Sequence, residues 1–365
     1  MATISENLPT TASRSPFQKW WDRTINTRAA YTYLIPAFVV MGLITFYPLF
    51  FQVWMSFTDY NIKSLNPKAP AYEAPKYVGF QNYLDIFPKE LKIGPVTIPF
   101  FGTDKLSAKV QNFSFPRLLF FNLWWTFSNV PIHVIAGVLI AVLLNVKGLW
   151  FKRFYRAIYI LPIIIPTLVI ATVWRNMFDQ DSGAINQAMA SVGQLFGVAS
   201  PVFRIRWLDQ IAPPIPWLLP GMSLPLSYYA LLITNIWLGW PFMTIVATGA
   251  LQSIPADLYE AASIDGASPV QQFFAITVPL IRPAMVPAAM YGIIMTFNLF
   301  NLIYMMSGGG PLRQTQILVT TAYDLVNGNR LYGMAAAFSI IVFFVLLGLT
   351  LLTNQFTKAT ERYDV

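Results

Sequence analysis

Charged residues are missing from six long stretches of the chain. Tyr31 to Phe57, Leu224 to Leu251, Pro283 to Leu312 and Leu331 to Thr357 carry none, and Leu118 to Val146 carries only His133. Ala157 to Trp174 is shorter but equally uncharged. An α-helix crosses the hydrocarbon core of a bilayer with about 20 apolar residues, so each stretch predicts a membrane span. A transmembrane barrel would show short strands of alternating polarity instead. The pattern predicts an all-α integral membrane protein, a six-helix transmembrane bundle.

Pro36, Pro48, Pro131, Pro162, Pro166, Pro225, Pro241 and Pro287 fall within these spans. Proline removes a backbone donor and kinks a helix, and neighbouring helices can satisfy the carbonyls it frees. Two readings stay open: kinks tolerated by packing, or hinges and cavity walls along a transport path.

Orientation follows from the short basic segments. Lys147 to Arg156 carries Lys147, Lys152, Arg153 and Arg156 without an acid, which places it on the cytoplasmic side. Six spans then put both termini in the cytoplasm. Arg14, Lys19, Arg23 and Arg28 before the first span agree, as do Lys358 and Arg362 after the last. The first apolar run is longer than the 7–15 residues of a cleaved signal peptide, so it is expected to stay as a helix. The expected layout is a basic cytoplasmic tail (1–30), a first transmembrane helix (31–57), an extracytoplasmic loop (58–117), a core of helices two to six (118–357) with an inner loop at 254–283, and a cytoplasmic C-terminal tail (358–365). The outer loop has room for an amphipathic helix at Phe80 to Phe87. A second outer segment, Met177 to Ser223, includes the proline-rich run Pro213 to Pro220, with Trp207 and Trp217 expected as interfacial anchors.

Composition narrows the function. Of 365 residues, 56% are hydrophobic and 11% charged, too little charge to cover a soluble surface. No cysteine is present and only one histidine, which removes thiol chemistry and leaves no basis for a histidine metal site or a Ser/His/Asp triad. The net charge of +8 is dispersed along the chain, a topology signal and not a nucleic-acid patch. No catalytic residue, metal or cofactor is expected, and membrane lipid is the surrounding partner.

The spans as drawn hold no Asp, Glu, Lys or Arg, the residues a proton-coupled carrier needs. A neutral solute needs hydrogen-bonding amides and aromatic faces instead. Span five offers Phe297, Asn298 and Asn301, and the two asparagines, three apart, would share one helix face. Interhelical hydrogen bonding is an equal alternative for the pair. Span four offers Asn235, Trp237 and Gly239 before Pro241, a weak point where backbone can line a cavity. His133 is expected to hydrogen-bond a neighbour within the bundle. The chain has no Gly-rich loop ending in GK[ST], so any ATP must bind another subunit.

The inner loop is unusual. From Ile254 it reads as a helix opened by Pro255, with Asp257 and Glu260 favouring its N-terminal dipole. Ala261 and Ala262 follow, then a stop at Gly266. A second short helix is predicted from Ser268 as N-cap with Pro269 in its first turn. Helix, glycine turn and helix between two spans is a docking element.

These residues resemble a known family. Glu260-Ala261-Ala262, Gly266, Ile276 and Val278-Pro279 match the EAA loop of binding-protein-dependent ABC importer permeases, with Val278 where leucine is usual. Gly79 to Tyr83 (GFQNY) resembles the segment before the family's second core span. Phe154 to Arg156 with Leu161-Pro162 resembles the start of the third, and Gly309-Gly310-Pro311 with Thr315 resembles the segment after the fifth. Within the family the chain is similar to the larger, MalF-type maltose subunit. The resemblance implies a sugar site of Trp237, Leu238, Gly239, Phe297, Asn298, Asn301 and Thr167. Ile163 stands where an aromatic is expected, so one stacking contact is missing. It also implies an ATPase-coupling element of Glu260, Ala261, Ala262, Asp265 and Gly266.

The implied protein is a non-catalytic, multi-pass permease subunit in the plasma (inner) membrane. Its substrate would be a neutral oligosaccharide, maltose or maltodextrin or a relative such as trehalose. Its partners would be a second, MalG-like permease, two ATPase subunits and an extracytoplasmic solute-binding protein. A stand-alone secondary carrier or channel for a neutral solute is the alternative from another class, and an intramembrane enzyme has no nucleophile–base pair to support it.

Overall fold

A computed structural model describes residues 16–93, 96–146, 148–198, 200–215 and 224–357. Arg14, Lys147, Trp217, Lys358 and Arg362 lie outside the described residues, as does part of the run Pro213 to Pro220. The chain forms two compact units, Met1–Met55 and Ser56–Val365. In the first, α1 (Pro16–Met41) passes through a π-turn at Gly42–Phe46 into α2 (Tyr47–Ser56). Helix therefore begins within the basic segment, well before the uncharged run at Tyr31.

The second unit opens at Ser56 and continues with residues 58–117, expected from the sequence to be the outer segment. It contains α3 (Gln81–Ile86), a hairpin of β1 (Glu90–Ile93) and β2 (Val96–Pro99), and α4 (Lys105–Lys109). The predicted helix at Phe80 to Phe87 is α3. Its Asn82 is buried, and Nδ2 donates to the carbonyls of Ser56 and Thr58, each at 2.8 Å. Tyr83 Oη lies 2.7 Å from Ser56 Oγ. The GFQNY segment thus clips onto residues 56–58, which open this unit.

The bundle is organised by α5 (Phe115–Asn145), α6 (Lys152–Ile164), α7 (Thr167–Met177), α8 (Ala184–Leu195) and α9 (Leu226–Gln252). Helices α5 and α9 lie side by side and run parallel. Ser128 accepts from Tyr228 Oη at 2.9 Å, His133 lies on Gly239, and Met243 lies on Gly137. Parallel neighbours require the chain to cross back between them, which α6 and α7 do. The third span is not the single helix expected over Ala157 to Trp174, because α6 and α7 meet at an angle of 99°. The cause is local: Pro166 has no N–H, and it holds Ile165 extended, at φ −76° and ψ 129°.

The loop at 254–283, expected from the sequence to be the inner loop, and the fifth span follow as α10 (Ala256–Ile264), α11 (Pro269–Gln272), a π-turn at Phe273–Thr277, α12 (Val278–Phe297) and α13 (Phe300–Ser307). The chain ends with α14 (Leu318–Asn327) and α15 (Tyr332–Thr357). Among the described residues, five helices are long and apolar enough to cross a membrane, and the bent pair makes up to six. The helical stretch carrying span five runs from Pro269 to Ser307, so Arg282, outside the span as drawn from sequence, falls inside it.

Three apolar clusters hold the unit together. Phe121, Trp125, Phe178, Leu224, Tyr228 and Met306 pack where α5 and α9 begin and α7 and α13 end. Met243, Ala247, Leu251, Ile281 and Met285 pack at the opposite end, toward the inner loop. The outer segment joins through Ile86, Leu106 and Phe113 to Leu325 and Phe338 of α14 and α15. Trp207, expected as an interfacial anchor, is tied inward: its ring lies 5.2 Å from that of Phe178, and Nε1 donates to Asn186 Oδ1 at 2.9 Å.

Candidate functional site

The inner loop has the predicted geometry. Helix α10 ends in a Schellman turn: Ala267 N–H donates to Ala262 O at 2.9 Å and Gly266 N–H to Ser263 O at 3.1 Å. Gly266 sits at φ +81°, a conformation L residues adopt only under strain, while a Cβ there would meet nothing. Ser268 then caps α11 reciprocally with Gln271, at 3.3 and 2.7 Å. Two small motifs thus fix a sharp corner. On its outer side Glu260, Ala261, Asp265 and Gly266 are exposed, and Ala262 is half-buried. Ile264 is 87% and Val270 66% exposed.

The residues implied for the sugar site occupy four helices and one break, with Phe297 ending α12 and Asn298 directly after it. Thr167 opens α7, Asn301 lies in the first turn of α13, and Trp237, Leu238 and Gly239 lie midway along α9. Helices α7 and α13 pack together, and Trp237 reaches α7 through Trp174, with ring centres 5.9 Å apart. Thr167, Asn298 and Trp237 are half-buried and Asn301 is exposed.

Two expectations change. Asn298 and Asn301 do not share one continuous helix face, because α12 stops at Phe297 and the chain restarts at Phe300. Asn298 instead turns back, donating to Ile294 O at 3.0 Å. Phe297 is 1% exposed and packs in the apolar cluster with Leu118 and Phe338, so its ring offers no face to a sugar.

Helix α5 supplies what the break in span five needs. Trp125 Nε1 donates to Thr296 O at 3.1 Å, and Asn122 Nδ2 donates to Phe297 O at 3.2 Å. Asn122 Oδ1 also accepts from the N–H of Leu318 at 2.7 Å, so one side chain holds the end of α12 and the start of α14. Inside a membrane, irregular backbone survives only where the protein satisfies its polar groups. Sequence reading missed Asn122 and Trp125, since Thr126, Ser128 and Asn129 stand in the same run and nothing local singles the pair out.

Further along α5, His133 is 2% exposed and lies directly on Gly239. A Cβ at Gly239 would collide with the imidazole. The face of Gly239 that the imidazole covers makes helix packing, not a substrate contact. After span five, Thr315 Oγ1 donates to Gly310 O at 2.7 Å and its N–H to Gly309 O at 3.1 Å, which accounts for the Gly-Gly-Pro…Thr pattern.

Residues 133–362 match the family of binding-protein-dependent transport system inner membrane components. The chain belongs to this family. It is a non-catalytic transport component of the inner membrane. The permease is 29% identical over 360 residues to the galactooligosaccharides transport system permease protein GanP of Bacillus subtilis, covering 97% of this chain and 75% of the relative. It is 29% identical over 342 residues to the maltodextrin permease MdxF of the same organism, covering 92% and 70%. It is 28% identical over 326 residues to the trehalose/maltose permease MalF of Thermococcus litoralis, covering 89% and 92%. Its fold is that of a chain in the crystal structure of a bacterial ABC transporter that imports alginate, with TM-score 0.68 and 18% identity, over 94% of this chain and 100% of that one.

Proposed function

We propose that this permease is the transmembrane subunit of an ATP-driven importer for a neutral oligosaccharide. It forms half of the translocation pathway. A second, MalG-like permease forms the other half, two ATPase subunits dock at the loop 254–283, and a solute-binding protein delivers the substrate from outside. The core is residues 118–357, with both termini cytoplasmic.

The observation that carries the reading is the EAA corner: an exposed helix–turn–helix, rigid through its own caps, with Ile264 and Val270 facing out uncovered. Exposed apolar side chains on a stiff element mark a partner surface. The substrate class is supported by the relatives' names, which span maltodextrins, trehalose/maltose and galactooligosaccharides. The half-buried Trp237 and the amides of Asn298 and Asn301 suit a ligand with C–H faces and hydroxyls. Thr167 and Leu238 complete this set.

Purifying the tagged permease from its membrane tests the proposal. The complex is expected to contain an ATPase whose turnover rises when binding protein loaded with maltose, a maltodextrin, trehalose or a galactooligosaccharide is added. A permease that purifies without an ATPase, or an ATPase deaf to every saccharide, contradicts it.

A further inference from the structure

The breaks in spans three and five have a shared consequence. Helices α7 and α13 both begin at a break, pack against each other, and end at one cavity of about 830 Å³. That volume falls within the ~300–1,000 Å³ of small-molecule pockets. Thr167 and Asn301 stand at the starts of the two helices. The cavity stands at their ends, bounded by Arg175, Gln180, Arg206, Trp207, Asp209 and Tyr304. The cavity reaches back to Thr172 on α7 and Tyr304 on α13, and it extends past Met177, about 16 Å along α7 from Thr167.

We propose that this cavity is a second saccharide subsite, holding the part of an oligosaccharide that the mid-membrane residues do not reach. The inference rests on the carbohydrate reading above and deepens it. Its walls are mainly polar and carry both charge signs, which suits a ligand rich in hydroxyls and without charge. Several nearby carboxylates are already committed. Asp181 pairs with Arg204, and Asp324 lies 3.3 Å from Arg313. Asp179 accepts from the N–H and hydroxyl of Ser182 and from the N–H of Asp181, which hold its carboxyl below the usual range.

Arg206 and Asp209 are exposed and form no ion pair among the described residues. A guanidinium and a carboxylate can each bond two adjacent hydroxyls, one as donor and one as acceptor. Trp207, fixed by Phe178 and Asn186, and Tyr304 supply ring surface for the C–H faces of a sugar. A disaccharide seated at Thr167 and Asn301 ends short of the cavity's far wall, whereas a chain of several sugar rings reaches it, so the subsite discriminates by length.

The test uses the complete complex, with its ATPases and binding protein, in liposomes. Uptake is compared for a disaccharide and a hexasaccharide of the series that the wild type accepts, drawn from maltodextrins and galactooligosaccharides. Arg206→Ala and Asp209→Ala are expected to raise KM for the hexasaccharide about fivefold, as for one lost hydrogen bond, and to leave the disaccharide unchanged. Equal effects on both sugars, or none on either, overturn the subsite. Weaker stimulation of ATPase by the binding protein, with both sugars impaired, also overturns it and makes the cavity a protein contact. A wild type that takes up no saccharide of either series fails at the carbohydrate reading itself, which is a separate result.

Discussion

The side-chain amide of Asn122 donates to the main-chain carbonyl of Phe297 at 3.2 Å, across the break in span five. The same side chain accepts from the N–H of Leu318. Asn122→Leu keeps the bulk but leaves both backbone groups buried without partners, at about 1–3 kcal/mol. The purified complex should unfold at a lower temperature. KM for sugar should rise, because Asn298 lies in the break and Asn301 in the first turn after it. An unchanged melting temperature would show that the break holds itself.

His133 and Gly239 form a second long-range pair whose logic is steric. Gly239→Ala drives a methyl group into the imidazole, an overpacking that typically costs about 1–3 kcal/mol. Truncating the partner as well should recover much of that loss, so Gly239→Ala with His133→Ala should be more stable than the sum of the single changes predicts. Simple additivity in thermal melts would argue that the two residues do not touch.

At Gly266 the constraint is dihedral, since space is free on every side. Substitutions should rank by their tolerance of positive φ. Asn is mildest, Ala intermediate and Val worst, with ~1–2 kcal/mol at stake for residues that bear a Cβ. Transport and stimulated ATP hydrolysis should fall in that order while membrane insertion stays normal. If Gly266→Val couples as well as the wild type, the turn is not what the ATPase reads.

Asn298→Ala and Asn301→Ala should weaken sugar uptake by roughly five- to 150-fold, the effect of about 1–3 kcal/mol, with assembly intact. The competing role, interhelical hydrogen bonding, gives poor assembly with normal uptake per assembled complex. Measuring both quantities on the same preparation separates the two.

What could be read in advance was local or periodic. The α10–α11 corner is punctuated by Pro255, Gly266, Ser268 and Pro269, and each acts within a few residues of itself, so its geometry was legible. The apolar runs marked the spans because hydrocarbon imposes a single rule on them. The bend at Pro166 was hidden by its neighbours, since most of the spans contain a proline and most of those prolines sit inside unbroken helix. The stop at Phe297 has no proline or glycine beside it. It depends on Asn122 and Trp125, brought alongside by the packing of α5 on α12, which no local pattern announces. Phe297 was misplaced for the same reason: an aromatic in an apolar run looks alike whether it faces a core or a pathway.

ATP-dependent uptake in proteoliposomes tests the central claim most directly. The permease is reconstituted alone, and in parallel with its partner permease, ATPases and binding protein, and a labelled neutral oligosaccharide is followed with and without ATP on the ATPase side. The account predicts accumulation only with all components and ATP present, abolished by Gly266→Val. Uptake by the permease alone, driven by an ion gradient and indifferent to ATP, would contradict it and make the protein a secondary carrier.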